Sequence, residues 1–157
     1  MSHFQPLYPG VVIDRAYAEY TTNADLTTVI PDDDTIPQST EGTQILSVSI
    51  TPKSTTNKVR IRVTAFGSNN TAVTAIILAL FSGGSNAIRA TSAIVPGADY
   101  REALVMEIEV TPGSTSAQTY TVRAGPGTNT MRLNGDSIGR KFGGVSAATI
   151  VAQEIVA

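Results

Sequence analysis

The chain has 157 residues with 11 Lys or Arg and 13 Asp or Glu, so its formal net charge is −2. A chain of this length forms one domain that can bury roughly 70% of the surface of the unfolded polypeptide. It contains no cysteine, which excludes disulfides and thiolate metal sites. Its basic residues are scattered, so no basic patch predicts nucleic-acid binding. The charged fraction is 15%, against about 25% in ordinary soluble domains, and suggests that part of the surface contacts neighbouring subunits.

The first ten residues predict an extended N-terminal arm. Pro6 and Pro9 lack a backbone donor and have a fixed φ angle, which disfavours a paired strand or a helix here. Phe4, Leu7 and Tyr8 give the arm apolar side chains to bury, so we expect it to dock on its own domain or on a partner. The segment has no signal sequence. The longest apolar run, 75–81, is shorter than the roughly 20 residues of a membrane helix, which predicts no membrane insertion.

Residues 11–157 predict one β-sandwich domain. Apolar and polar residues alternate with a period of two in 43–51, 58–66 and 103–111, which is typical of strands with one solvated face. The nearly continuous apolar run 72–81 predicts a central strand buried on both faces. Further strands are predicted at 11–20, 26–30, 87–95, 117–124, 130–133 and 147–156, with breaks at Gly, Pro, Asn and Ser, including 67–70. The pattern favours an all-β, jelly-roll-like antiparallel sandwich of about eight to ten strands.

Three consecutive carboxylates, Asp32, Asp33 and Asp34, lie between two Ile-Pro pairs. Calcium sites take oxygens from alternating positions of a loop, and three adjacent side chains on an extended segment cannot all face one ion. Aspartate in turns commonly hydrogen-bonds its own backbone. A structural turn is therefore favoured over a metal site, and a metal site over a catalytic one.

Other polar residues are weighed in the same way. His3 is the single histidine, so it is the only base for a Ser-His-Asp arrangement, and a solvated arm residue is the simpler interpretation. Copies of His3 meeting on a symmetry axis remain an alternative ion site. Glu107 and Glu109 share one strand face and are predicted to be solvated. We expect their charges to be paired with basic residues on a neighbouring strand or subunit, namely Lys58, Arg60 and Arg62.

The glycine-rich segment 133–144 is the richest loop of the chain. Its glycines do not have the spacing of a dinucleotide-binding or Walker motif. Asn134-Gly135 predicts a hairpin turn. Arg140, Lys141 and Phe142 are candidate contacts for a glycan, an acidic partner or a subunit interface, with structure or assembly favoured over a ligand.

Two segments carry a family resemblance. TTNADLTTVIPDDDTIPQSTEGTQILSVSITPKSTTNKVRIRV and MRLNGDSIGRKFGGVSAATIVAQEI resemble small β-sandwich proteins and fibre-end domains of tailed bacteriophages. The shared features are an Ile-Pro, Gln, Glu-Gly-Thr-Gln sequence, an Ile-Thr-Pro-Lys-Ser turn and a late Phe-Gly-Gly-Val-Ser-Ala. The resemblance spans about residues 20–155. It implies a trimeric jelly-roll virion protein and no catalytic residues, while the shaft and collar-binding domain of long fibre proteins have no counterpart here.

The sequence therefore predicts a non-enzymatic virion structural protein, assembled in the host cytoplasm. We expect a homotrimer that decorates the capsid or forms a small head or tail fibre and contacts other virion proteins, with no cofactor. Candidate partner-binding residues are Phe4, Leu7, Tyr8, Arg140, Lys141 and Phe142. Host glycans are a further expected ligand. The alternative is a stand-alone carbohydrate-binding module, although the chain has no Trp and only nine aromatic residues; a hydrolase ranks last.

Overall fold

The computed structural model describes residues 8–157; His3, Phe4 and Leu7 of the predicted arm lie outside these residues. The described chain has the following order of elements: β1 (Val12–Tyr20), β2 (Ala24–Leu26), β3 (Thr43–Ile50), β4 (Lys58–Asn69), β5 (Thr74–Phe81), β6 (Arg89–Val95), β7 (Glu102–Val110), β8 (Gln118–Pro126), β9 (Met131–Leu133), β10 (Gly135–Asp136), β11 (Gly139–Arg140), a 3-10 turn (Phe142–Gly144) and β12 (Ala148–Ile155). No α-helix occurs in 8–157, and none of its segments is a helix able to cross a membrane.

The long strands form two antiparallel sheets. The first sheet has the order β1-β12-β4-β7, and β2 and β9 extend it at the end where β4 finishes. The second sheet has the order β3-β8-β5-β6. The chain crosses between the sheets from β2 to β3, β3 to β4, β4 to β5, β6 to β7, β7 to β8 and β8 to β9, which is the connectivity of a jelly roll. The all-β sandwich predicted from the sequence is confirmed.

The main core lies between the sheets and is formed by the inward face of each strand. In β4, the buried residues are Val59, Ile61, Val63 and Ala65, and the residues between them point away from the core. The neighbouring strands β7 and β12 of the same sheet contribute Leu104, Met106, Ile150 and Ala152, and the facing strands β5 and β8 contribute Ile76, Leu78, Leu80, Tyr120 and Val122. This alternation is what the period of two in 58–66 and 103–111 predicted.

The outer side of β5, in the middle of the second sheet, is covered by the chain itself. Residues 27–42, the cover loop, leave the sheet after β2 and lie across β5 and β8. Ile30 is fully buried against the outward side chains of β5, which are Ala75, Ile77, Ala79 and Phe81. Every residue of β5 is therefore buried, and the prediction of a central strand buried on both faces is confirmed.

Specific backbone contacts hold the cover loop in place. Ile30 N donates to Pro126 O at 3.0 Å, and the guanidinium of Arg123 donates to Glu41 O at 2.6 Å and Gly42 O at 2.8 Å. Gly125 allows the backbone of the loop to approach β8, because a Cβ at this position would overlap Thr28 O. Few residues other than glycine permit two backbones to pack this closely.

Two boundaries predicted from the sequence are wrong. The predicted strand 26–30 ends at Leu26, because the chain turns out of the sheet to become the cover loop. The predicted break at 67–70 is part of β4, which continues to Asn69 and pairs there with β9. The absence of a side chain at Gly67 lets Arg132 O of β9 approach closely, so glycine here permits strand pairing instead of ending it.

Candidate functional site

The segment between β9 and β12 contains the predicted partner-binding residues. Its residues 134–145 are called the end loop. Asn134 has a positive φ of 59° and its Nδ2 donates to Tyr20 O at 2.7 Å and Thr22 O at 3.1 Å, which anchors the start of the loop. The pairing of Asp136 with Gly139 puts the hairpin turn at Ser137 and Ile138. The turn predicted at Asn134-Gly135 is therefore wrong by three positions, because Asn134 acts as an anchor to β1.

A buried carboxylate fixes the base of the end loop. The side chain of Asp136 is only 9% exposed. It accepts hydrogen bonds from Ile138 N at 2.9 Å and from Lys141 Nζ at 2.7 Å, and Arg101 Nε lies 3.8 Å from its second oxygen. The hydrogen bond from Lys141, the Ile138 backbone and the two positive charges lower the pKa of Asp136, against a smaller opposing effect of burial. Lys141 therefore has a structural role within the loop.

A second carboxylate joins the end loop to the β6–β7 connection. Asp99 Oδ1 accepts from Ser137 N at 3.0 Å and from Arg132 Nη1 at 2.5 Å, and Arg132 Nε lies 3.6 Å from Asp25. Hydrogen bonding by Ser137 and the neighbouring guanidinium lower the pKa of Asp99. Two connections that are distant in sequence are thereby held as one unit at this end of the sandwich.

Above this charged base, the end loop exposes apolar side chains. Ile138 is 89% exposed, Phe142 is 71% exposed and Val145 is 84% exposed. Phe142 has a positive φ of 52°, a conformation that is unfavourable for a bulky residue and concentrates at functional positions. Arg140 is exposed and lies against Gly144, where a Cβ would be 2.9 Å from its Nη1. The end loop therefore exposes three apolar side chains and one cation.

Among the described residues, Tyr8 is separated from the other predicted partner-binding residues. Tyr8 is 68% exposed and precedes β1, whereas the end loop precedes β12. Because the first residues of β12 pair with the last residues of β1, Tyr8 and the end loop are at opposite ends of the first sheet. Arg140, Lys141 and Phe142 differ in their surroundings: Lys141 pairs with Asp136, and Arg140 and Phe142 are exposed.

The three aspartates of the cover loop are exposed and form a turn. Asp33 Oδ1 accepts from Thr35 N at 2.8 Å and from Thr35 Oγ1 at 2.5 Å, and these bonds lower the pKa of Asp33. Within residues 8–157, no group of three or more His, Asp or Glu side chains is arranged to hold a metal ion. The structural turn predicted for this segment agrees with the geometry of Asp33.

Sequence reasoning missed a buried carboxylate in the last strand. Glu154 is fully buried, and its Oε1 accepts from Lys53 N at 2.7 Å, Ser54 N at 3.3 Å and Asn57 Nδ2 at 2.7 Å. A signal was present: Glu154 has the same parity as Ala148, Ile150 and Ala152, which all face the core. Asp99 and Asp136 were also missed, and their isolated positions in loops gave no comparable signal.

Comparisons with known proteins leave the family open. No family model matches the chain, and no curated protein matches it. Among solved structures, the chain is similar to Eiger TNF from S. frugiperda, with 10% sequence identity and a TM-score of 0.49 over 95% of this chain and 94% of that chain.

Proposed function

We propose that the chain is a structural protein on the surface of a tailed-bacteriophage particle, assembled as a homotrimer. It acts as a capsid decoration or as a small head or tail fibre, and it does no bond-making chemistry. The resemblance of residues 20–155 to phage fibre-end and β-sandwich proteins supports this role. The observation that carries the proposal is the end loop, which presents Ile138, Phe142 and Val145 to solvent from a fixed base.

The energetics of the end loop favour a contact role. Burying an apolar side chain of this size yields about 1.5–3 kcal/mol, so exposing three of them forgoes a substantial gain in the free subunit. The positive φ of Phe142 adds backbone strain of about 1–3 kcal/mol. A partner that covers the loop gains the free energy of burying these apolar side chains. The entropic cost of ordering the loop is reduced, because hydrogen bonds to Asp136 and Asp99 already hold it in position.

The two ends of the sandwich give the subunit a polarity that suits a particle surface. Tyr8, the first described residue of the arm, is exposed just before the start of β1. The end loop lies at the opposite end of the first sheet. We assign the arm to attachment to other virion proteins and the end loop to outward contact, including contact with host glycans.

Antibody labelling of particles tests the proposed location. We expect gold label on particles of the phage that encodes the chain, either over the capsid lattice or at a fibre tip. If particles made without the chain had the same protein composition and the same gold labelling as wild-type particles, the virion role would be contradicted. In the same particles, Phe142→Ala is expected to reduce adsorption to host cells while particle assembly is unchanged.

A stand-alone carbohydrate-binding module is the second candidate, because two exposed aromatic residues occur at one end. Tyr100 is 61% exposed in the β6–β7 connection, and this connection is tied to the end loop by the bond from Ser137 N to Asp99. Aromatic faces with nearby guanidinium groups suit sugar binding. Tight binding of a monomer on a glycan array, lost in both Tyr100→Ala and Phe142→Ala, would favour this function over the virion role.

A further inference from the structure

We propose that the outer face of the first sheet is the surface on which a second copy of this chain docks. This inference rests on the proposed function in one respect, that the chain works as an oligomer. The outward residues of β1, β12, β4 and β7 are called the open face: Arg15, Tyr17, Glu19, Thr149, Val151, Gln153, Arg60, Arg62, Thr64, Val105, Glu107 and Glu109.

The two sheets differ in how far other segments of the chain cover their outer faces. The outer face of the second sheet is apolar along β5 and is closed by Ile30 and the rest of the cover loop. No segment of residues 8–157 lies over the open face in the same way: Tyr17 is 47% exposed and Val105 is 52% exposed. The fold thus covers the outer side of β5, whereas outward residues of β3 and β6, such as Ile94 at 53% exposure, and the whole open face stay accessible.

Cross-strand register arranges the open face in rows. One row runs Arg15, Gln153, Arg60 and Glu109, and the Arg60 Nη2 to Glu109 Oε1 distance is 2.6 Å. The row beside it continues with apolar, basic and acidic residues in the order Tyr17, Val151, Arg62 and Glu107. In this row an apolar part on β1 and β12 thus lies beside a charged part on β4 and β7.

The charges of the open face are separated by strand. Arg60 and Arg62 lie on β4, whereas Glu107 and Glu109 lie on the edge strand β7. Arg60 is paired, but Arg62 has no ion-pair partner among residues 8–157. A neighbouring copy that brings its own β7 edge over this β4 supplies carboxylates to Arg62. Such a head-to-tail contact uses two different surfaces, and it closes into a ring when the rotation allows.

The charges of the open face favour a second copy, and not the N-terminal arm, as the partner that binds there. The arm outside the described residues is Met-Ser-His-Phe-Gln-Pro-Leu, which contains no carboxylate. It can cover apolar groups such as Tyr17, but it cannot neutralise Arg62. The chain's own β7 edge provides two exposed carboxylates on one face of the strand, Glu107 and Glu109.

Charge reversal on the full-length chain tests this inference by light scattering over a concentration series. The wild-type chain is expected to have a multiple of the 16.4 kDa monomer mass. Arg62→Glu and Glu107→Arg, each alone, are expected to weaken association roughly tenfold or more through like-charge contacts. The double variant Arg62→Glu/Glu107→Arg should associate again, because the exchanged charges then meet with opposite signs at every contact of the ring. Val105→Lys gives a second disruption at an exposed position that the fold tolerates.

Arg89→Glu is the matched control, since Arg89 is an exposed arginine on the second sheet. Its mass should equal that of the wild type, as should the mass of a chain lacking residues 1–7. A monomeric wild type, or an oligomer that none of the open-face variants weakens, would refute the inference. Loss of the oligomer on removal of residues 1–7 would assign the contact to the arm. An oligomer that obeys these rules but is missing from virions would instead reject the proposed function alone.

Discussion

Replacing Glu154 by alanine gives the sharpest test of the fold, because one buried oxygen organises the whole β3–β4 turn. Oε1 of Glu154 receives hydrogen bonds from the backbone of Lys53 and Ser54 and from the amide of Asn57. The turn connects the two sheets, and Glu154 belongs to β12 of the first sheet. The substitution leaves all three donors without this acceptor.

The expected loss follows from the geometry. Two of the three bonds are 2.7 Å long, and hydrogen bonds to a charged group contribute about 1.5–3 kcal/mol each. The third, at 3.3 Å, is weaker. Water that enters the space left by the side chain replaces some of the lost hydrogen bonds. We therefore expect the free energy of unfolding to fall by about 3–4 kcal/mol. Glu154→Gln retains an acceptor of the same shape and should lose about 1–2 kcal/mol.

Urea unfolding followed by circular dichroism measures both variants at one protein concentration, because assembly itself shifts stability. With a denaturant dependence of about 2 kcal/mol per M, the midpoint of the alanine variant should fall by roughly 1.5–2 M. An alanine variant within about 1 kcal/mol of the wild type would show that the turn does not depend on this carboxylate. A glutamine variant as unstable as the alanine variant would show that charge, and not the acceptor geometry, is what matters.

Three further outcomes are expected from the same structure. Ile30→Ala should lower the free energy of unfolding by about 2–5 kcal/mol in urea, while Ile36→Ala, exposed in the same loop, should change it by less than about 0.5 kcal/mol; equal effects would contradict the second core under the cover loop. Gly125→Ala should cost about 1–3 kcal/mol, because its Cβ would overlap the loop backbone, and an unchanged melting temperature would refute that contact. The folded-state pKa of Asp136 is lowered, chiefly by Lys141, so its stabilising effect is complete above the unfolded value of about 4 and is lost as the pH falls through the folded value. Melting temperatures from pH 5 to pH 2.5 should therefore fall more steeply for the wild type than for Asp136→Asn, and parallel curves would refute the pairing.

Strands with one solvated face were predictable from local pattern alone. In β4 and β7 most apolar residues share one parity, with Phe66, Ala103 and Val105 as exceptions. The predicted match of Glu109 with a basic residue on a neighbouring strand is met by Arg60. Burial of β5 on both faces was also predictable from its apolar run. The identity of its cover was not, because Ile30 between polar residues and a proline has no periodicity that shows where it packs.

The candidate site was predictable in position but not in the roles of its residues. Arg140, Lys141 and Phe142 are adjacent, and nothing local distinguishes a lysine that turns inward from a phenylalanine that turns outward. The distinction depends on Asp136, whose carboxylate also lies near Arg101 from a distant connection. Contacts of this kind are set by the meeting of loops at one end of the sandwich, and a single sequence does not contain that information.

The contrast between the outer faces explains why self-association would depend on charge. An apolar outer face, as along β5, aggregates unless the chain covers it, and the cover loop solves that problem within one subunit. The open face needs no such cover, because the arginines of β4 and the carboxylates of β7 keep it hydrated. A partner must then replace that hydration with matched charges, which few surfaces can do. In the proposed contact, Glu107 and Glu109 on the β7 edge of a second copy would supply those charges to Arg62.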